Sequence, residues 1–123
     1  MGERSRMMTV VLWILQVLMA AVFVMAGGAK LSGQPAMVEM YDTIGFGQWF
    51  RYVTGVIEVG SAILLLVPSL AAVGAGLLVC TMIGAIIAHY TVLHVPATGP
   101  IILLIVTASI AWLRRAQLRV MFA

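Results

Sequence analysis

The stretch "VTGVIEVGSAILLLVP", from Val53 to Pro68, has the composition of a membrane-spanning helix except at Glu58. A carboxylate at the centre of such a helix costs roughly 2.5–3.5 kcal/mol on insertion scales, so its position needs a physical explanation. At 100° per residue, Glu58 lies on a helix face made of small and polar residues, whereas the remaining faces are aliphatic. We therefore expect this face to point into a helix bundle. Its other members are Arg51, Thr54, Gly55, Ser61 and Ala62. On the first span, one face likewise carries Gln16, Ala20, Phe23, Gly27 and Lys30, so its polar members also point one way.

The composition of the whole chain is also that of a membrane protein. Of its 123 residues, 63% are hydrophobic and 9% are charged, whereas soluble domains average about 25% charged residues. No charged residue occurs between Met8 and Ala29 or between Val59 and Leu113. These features exclude a soluble globular domain and predict one small transmembrane domain, residues 1–123.

The apolar runs predict an all-α fold, namely a polytopic four-transmembrane-helix bundle with spans at about 8–29, 52–67, 70–93 and 100–113. The first run, at about 21 residues, exceeds the roughly 7–15 of a signal-peptide core and is predicted to be a membrane helix. Between the first two spans, a short amphipathic helix from Pro35 to Gly45 is expected at the outer interface. Pro100 is expected at the first position of the last helix, with Thr98 or Gly99 as its cap. That helix is predicted to continue through residues 114–123.

The basic residues divide unevenly between the two ends of the predicted spans. Since cytoplasmic loops are enriched in Lys and Arg, both termini of this multi-pass membrane protein are predicted to be cytoplasmic. The basic residues form no patch with interleaved aromatics, so the expected partner is the lipid bilayer and not nucleic acid. One side carries Arg4, Arg6, Arg114, Arg115 and Arg119, and the other carries Lys30 and Arg51.

Small residues recur every four positions along the third predicted span. Such a stripe permits close approach of another helix, either within the chain or in a second copy, which would make a homo-oligomer. The single cysteine belongs to this stripe and is expected to pack as a small residue. His89 and His94 are five residues apart across a helix end, so no metal site is predicted. The stripe consists of Ala72, Gly76, Cys80, Gly84 and Ala88.

The ionisable residues within or beside the membrane core gather towards the outer side. Lys30 ends the first span, Arg51 begins the second, Glu58 lies about 10 Å deeper, and His89 lies about 6 Å inside the third span. These four residues predict a polar cavity for ligand binding or proton relay. The alternative is purely structural: an ion pair of Glu58 with Arg51 or Lys30, basic side chains that reach to headgroups, and a packing histidine.

Three segments together resemble the DoxX/DoxX-like family of four-helix bacterial membrane proteins. They are "FVMAGGAKL" at the end of the first helix, "TGVIEVGSAILLLVP" in the second and "GAIIAHYTVLH" at the end of the third. The family takes its name from a membrane subunit associated with terminal quinol oxidase and thiosulfate:quinone oxidoreductase. The resemblance implies that Lys30, Glu58 and His89 are recurring polar positions of the bundle, without identifying a substrate.

The sequence is compatible with three functions. No motif in it has the residue spacing of a known catalytic site. The first is a redox-associated, quinone-linked membrane subunit with no covalently bound cofactor. In it, Lys30 or Arg51 would hydrogen-bond a carbonyl or anionic group, while Glu58 and His89 would bind or relay protons. The second is a non-catalytic assembly protein that docks a membrane or secreted redox partner. The third is a small transporter that acts as an oligomer.

Overall fold

The computed structural model describes residues 2–122, with side-chain positions for residues 6–120, so the side chain of Arg4 lies outside the described residues. Residues 2–122 contain helices and no strand, and the all-α fold class is confirmed. The elements are α1 (Gly2–Ser32), α2 (Pro35–Ile44), α3 (Gln48–Leu65), α4 (Ala71–Ala88), a π-helical segment (His89–Leu93), α5 (Thr98–Leu113) and α6 (Ala116–Phe122).

The four long helices pack in a ring, with α1 against α3, α3 against α4, α4 against α5 and α5 against α1. Phe23, Leu65, Leu78 and Ile110 are completely buried at the centre of this ring. Two stretches, Arg6–Ser32 and Ala71–Leu93, are long and apolar enough to cross a membrane, and α5 is an apolar helix of shorter length.

The inward faces agree with the sequence analysis. On α3 the buried residues include Arg51, Gly55 and Glu58, and on α1 Gln16 and Phe23 are inaccessible to solvent. These predictions are confirmed because helical periodicity alone determines which side chains share a face.

The predicted short helix after the first span exists as α2, whose position at a membrane interface stays a prediction. Gly33, at φ 74°, ends α1 in a left-handed conformation, with its N–H donating to the Lys30 carbonyl. Pro35 begins α2, and Gly45, at φ 86°, ends it by donating to the Tyr41 carbonyl. Both glycines occupy the left-handed region that other residues rarely adopt. The helix α2 covers one end of the ring, hereafter the α2 end, and contacts α1, α3 and the π-helical segment.

Two expectations for the last helix are wrong. The helix α5 begins at Thr98 with Ala97 before it, so neither Thr98 nor Gly99 is the cap, and Pro100 is the third helical residue. It also ends at Leu113 instead of continuing. After Arg114 and Arg115 the chain forms the separate short helix α6, in which Gln117 contacts the segment before α4.

Gln117 joins α6 to the beginning of α4. Its side-chain Oε1 accepts a hydrogen bond from the backbone N–H of Ala72 at 2.9 Å, and its Nε2 donates to the Pro68 carbonyl at 2.5 Å. The first N–H groups of a helix have no partner within the helix, so this amide stabilises the start of α4.

The small-residue stripe on α4 does not make the close contact between α4 and α3. That contact lies at Gly74, where an added Cβ would come within 2.7 Å of the Ser61 carbonyl oxygen and 2.9 Å of the Leu64 Cβ. A Cβ at Gly76 or at Gly84 would meet nothing within 4 Å. Ala72 is buried within this chain, and the helix-packing role of the rest of the stripe stays a prediction.

Cys80 corrects a second expectation about the same helix. It was expected to pack as a small residue, but its side chain is exposed. The reason is that α4 is in tight contact with α3 near Gly74, whereas Cys80 lies further along, on the wall of a cavity.

Candidate functional site

An ion pair joins the end of α1 to the middle of α3. The Nζ of Lys30 lies 2.7 Å from the Oε1 of Glu58, and their side chains are 14% and 2% exposed, respectively. Of the two structural alternatives for Glu58, a pair with Lys30 or with Arg51, the structure has the pair with Lys30. The carboxylate thereby offsets part of its desolvation.

Arg51 lies beside this pair, but its side chain binds the C-terminal end of α1. Its guanidinium donates from Nη1 to the Lys30 carbonyl and from Nε to the Oε1 of Gln48 at 2.7 Å, and it stacks over the Tyr52 ring at 4.3 Å. A cation on the last carbonyls of a helix is stabilised by the helix dipole. Arg51 is not among the residues that line the cavity, and its predicted ligand contact stays a prediction.

A cavity of about 390 Å³ lies on the inner side of the ion pair, at the α2 end of the ring. Its walls come from α1, α2, α3, α4 with the π-helical segment, and α5. Most of the wall is apolar, so it is less polar than the sequence analysis expected. The polar residues of the wall are Lys30, Tyr41, Thr54, Glu58, Thr81 and His89. The larger apolar residues are Phe23, Met37, Met40, Ile44, Phe50, Val53, Ile57, Met82, Leu93 and Leu103.

His89 contributes to the cavity wall from the other side of the ring. It is the first residue of the π-helical segment, and its Nδ1 lies 2.7 Å from the Ala85 carbonyl oxygen. This contact sets the tautomer, since Nδ1 must carry the proton to donate to a carbonyl. The imidazole Nε2 is then the acceptor. The structure thus brings Lys30, Arg51 and Glu58 together, and it places His89 across the same cavity from Glu58.

Tyr41 is a polar group of the cavity that the sequence analysis did not select. Its side chain is buried, it lines the cavity, and its ring meets that of Phe50 edge to face at 5.8 Å. Burial raises the pKa of the Tyr41 phenol above its usual value, and the Glu58 carboxylate acts in the same direction. The phenol stays protonated and is able to donate a hydrogen bond. The helical spacing of Met37, Tyr41 and Ile44 in the sequence indicates that these side chains share one face of α2, and this face lines the cavity.

A second polar cluster occupies the opposite end of the ring and is structural. Gln16 is fully buried, donates from Nε2 to the Leu65 carbonyl at 2.8 Å, and accepts from Arg114 Nε at 2.9 Å. The Arg114 guanidinium also lies 5.9 Å from the centre of the Trp13 ring. Gln16 was predicted on an inward face. Its bond with Arg114 was not predicted, because 98 residues separate the two in the chain.

The side chains do not assemble a metal centre in the described part of the chain. Within residues 6–120, no group of three or more His, Cys, Asp or Glu side chains could hold a metal ion. The chemistry that the cavity offers is therefore hydrogen bonding and charge: an ammonium, a carboxylate, an imidazole and a phenol around an apolar space.

The fold and the site define an all-α protein with membrane-compatible helices and a charged pair in the wall of a mainly apolar cavity. The chain matches the DoxX-like family over residues 14–113, and it belongs to that family. This membership supports a lipid bilayer environment, and the predicted resemblance is confirmed.

One curated relative is the protein "Uncharacterized protein YdgD" of Bacillus subtilis (strain 168), which is 42% identical over 74 residues. The alignment covers 56% of this chain and 65% of the relative. The chain thus spans just under two thirds of that protein's length. No solved structure is significantly similar to this chain.

Proposed function

We propose that this DoxX-like protein is a redox-associated subunit of the cell membrane that binds a quinone-like or other small amphipathic ligand in the cavity beside Glu58. The observation that carries the proposal is the Lys30–Glu58 ion pair in the wall of a 390 Å³ space that is otherwise largely apolar. Ligand pockets commonly have this character, with apolar walls and a few convergent polar groups that orient the ligand.

The polar groups suit a ligand head that carries carbonyl or hydroxyl oxygens. The ammonium of Lys30 and the phenol of Tyr41 are donors for a carbonyl oxygen. The carboxylate of Glu58 and the Nε2 of His89 are acceptors for a hydroxyl, and both can take a proton. Reduction of a quinone to a quinol consumes two electrons and two protons. The chain would supply proton-binding groups, and the electrons would come from a redox partner protein.

Binding of a tail-free quinone to the purified protein in detergent tests this proposal. We expect Glu58→Gln to weaken binding by about tenfold, which corresponds to 1.4 kcal/mol, because the carboxylate that holds the Lys30 ammonium in the cavity wall as a donor to the quinone carbonyl is lost. Glu39→Gln is the matched control, since Glu39 is exposed on α2 and does not line the cavity. The proposal is wrong if the unmodified protein does not bind the quinone, or if the two variants bind it equally well.

We also propose that α1, α3, α4 with the π-helical segment, and α5 form four membrane spans in a single domain, with α2 at the outer surface and both termini in the cytoplasm. Family membership and the two longest apolar stretches support this topology. In a Cys80→Ala background, Thr43→Cys on α2 should react with a membrane-impermeant maleimide added to whole cells. Ser69→Cys, between α3 and α4, should react only after the cells are opened. Labelling of both positions in intact cells would contradict the topology.

A redox partner or a second copy of the chain is part of the same proposal. The open space at Gly76 and the exposed aromatic side chains of Phe46 and Trp49 support a contact surface. We expect cross-linking in native membranes to trap this protein with a partner that itself carries a redox cofactor. If the protein stays monomeric in the membrane and gives no cross-linked product, both the proposed partner and the proposed oligomer are wrong.

A further inference from the structure

The exposed part of the cavity wall lies between two helices. Among the described residues that line the cavity, those with exposed side chains or surfaces are Val53 and Ile57 on α3 and Cys80 and Gly84 on α4. Each pair is four residues apart, so each pair lies on one edge of its helix. These four residues define a side opening of the cavity between α3 and α4.

The path of the two helices explains the side opening. The chain reverses between α3 and α4, and the two helices meet closely where Gly74 contacts the backbone of Ser61 and Leu65. Ten residues further along α4, a Cβ at Gly84 would have no neighbour within 4 Å. Beyond the close contact at Gly74, exposed residues of both helices belong to the same cavity wall as Lys30 and Glu58.

The α2 end itself is covered. Tyr41 is buried there, and Met37, Met40 and Ile44 form a half-buried layer over the cavity. The helix α2 is in contact with α1, α3 and the π-helical segment around this end. A ligand that approached along the axis of the ring would meet this layer, whereas between α3 and α4 the residues of the cavity wall are themselves exposed.

We propose that the side opening admits a ligand dissolved in the bilayer, whose polar head lies at Lys30 and Glu58 while its apolar tail passes out between α3 and α4 into lipid. This inference rests on the proposed function and specifies its ligand class: an amphiphile with a long apolar tail. The apolar residues at the opening match the tail of such a molecule, and the charged residues inside the cavity match its head. The cavity of about 390 Å³ holds a ring-sized head but not a polyisoprenoid tail.

Two quinones that share a head group test this, one with a polyisoprenoid tail and one without a tail. Gly84→Leu places a side chain in the side opening, where there is room for its first atom. We expect it to weaken binding of the tailed quinone by about tenfold and to leave the tail-free quinone unchanged. Gly76→Leu is the control, because it makes the same substitution on the same helix, also in open space, at a residue that does not line the cavity. Cys80→Leu repeats the test if the Gly84 variant does not fold.

The outcomes separate the side opening from the proposed function. If the unmodified protein binds neither quinone, the proposed function is wrong, and this inference falls with it. If both quinones bind and both Gly84→Leu and Cys80→Leu leave the tailed quinone unaffected, the cavity binds quinone but the side opening is wrong. Equal weakening of both quinones also overturns the side opening, because the tail then makes no separate contact there. Selective loss of the tailed quinone supports it.

Discussion

Gly27 and Gly55 lie against each other where α1 crosses α3. An added Cβ on Gly27 would come within 2.8 Å of the Gly55 carbonyl oxygen, and one on Gly55 would come within 3.0 Å of the Gly27 carbonyl oxygen. Glycine at both positions lets the two backbones approach directly, as in other membrane helix pairs. Lys30 lies three residues beyond Gly27 and Glu58 lies three residues beyond Gly55, and their side chains meet beside this crossing.

Substitution of Gly27 should therefore separate the two helices. In Gly27→Ala the new methyl group would also lie 2.7 Å from the Val59 Cγ2, and we expect a loss of stability of about 1–3 kcal/mol. Unfolding of the purified protein in mixed micelles measures this. Gly28→Ala is the control, because its Cβ would meet nothing within 4 Å. Equal stability of the two variants would contradict the close crossing.

Removal of one member of the Lys30–Glu58 pair should cost more than removal of both. A single substitution leaves a buried charge without its partner, which costs about 3–5 kcal/mol, whereas an apolar pair of similar volume is often neutral. We expect Lys30→Met to be more destabilising than Glu58→Leu, since the Glu58 side chain is 2% exposed and that of Lys30 is 14% exposed. A double-mutant cycle with Lys30→Met/Glu58→Leu checks this in the same unfolding assay. Additive effects would show that the two charges do not stabilise each other.

The guanidinium of Arg51 should not be replaceable by an ammonium. Arg51→Lys keeps the charge but cannot reach both Gln48 and the Lys30 carbonyl with separate N–H groups. We expect a loss of about 1–3 kcal/mol, the range for hydrogen bonds to charged groups. Arg119→Lys is the control, because Arg119 is exposed on α6. If thermal unfolding in detergent gives the same midpoint for both variants, Arg51 does not stabilise the end of α1.

Gln16 should be required at the opposite end of the ring. Gln16→Leu leaves the Leu65 carbonyl and the Arg114 guanidinium without this partner, so we expect a loss of about 1–3 kcal/mol for unsatisfied buried groups. The same substitution at exposed Gln34 should have little effect. Measurement of both unfolding free energies decides the point, and a Gln16→Leu protein as stable as Gln34→Leu would contradict it.

Much of the fold could be predicted because its signals are local. Long apolar runs predicted helices near the observed α1, α3, α4 and α5, and Pro35 and Gly45 marked the ends of α2. Predictions failed where a distant residue decides the outcome. The helix α5 was expected to continue, but it ends at Leu113, and Gln117 of α6 bonds to Pro68 and Ala72, 49 and 45 residues earlier in the chain.

The candidate site was predicted in part for the same reason. Periodicity placed Glu58 on the inward face, and depth placed Lys30 near it. Neither periodicity nor depth could determine that Arg51 would instead bind the end of α1, or that Tyr41 would line the cavity. Cys80 was assigned to helix packing because small residues at intervals of four have the same pattern whether they contact a helix or border an open space.

The sequence by itself determined that this chain is helical, that it suits a membrane, and that Glu58 faces inward, because hydrophobicity and helical period depend on neighbouring residues. The tertiary structure decided that Lys30 is the partner of Glu58, that Gln16 meets Arg114, and that residues of α3 and α4 line one cavity. Those relationships depend on the distance and angle between helices, which close contacts such as Gly27 with Gly55 and Gly74 with Ser61 set.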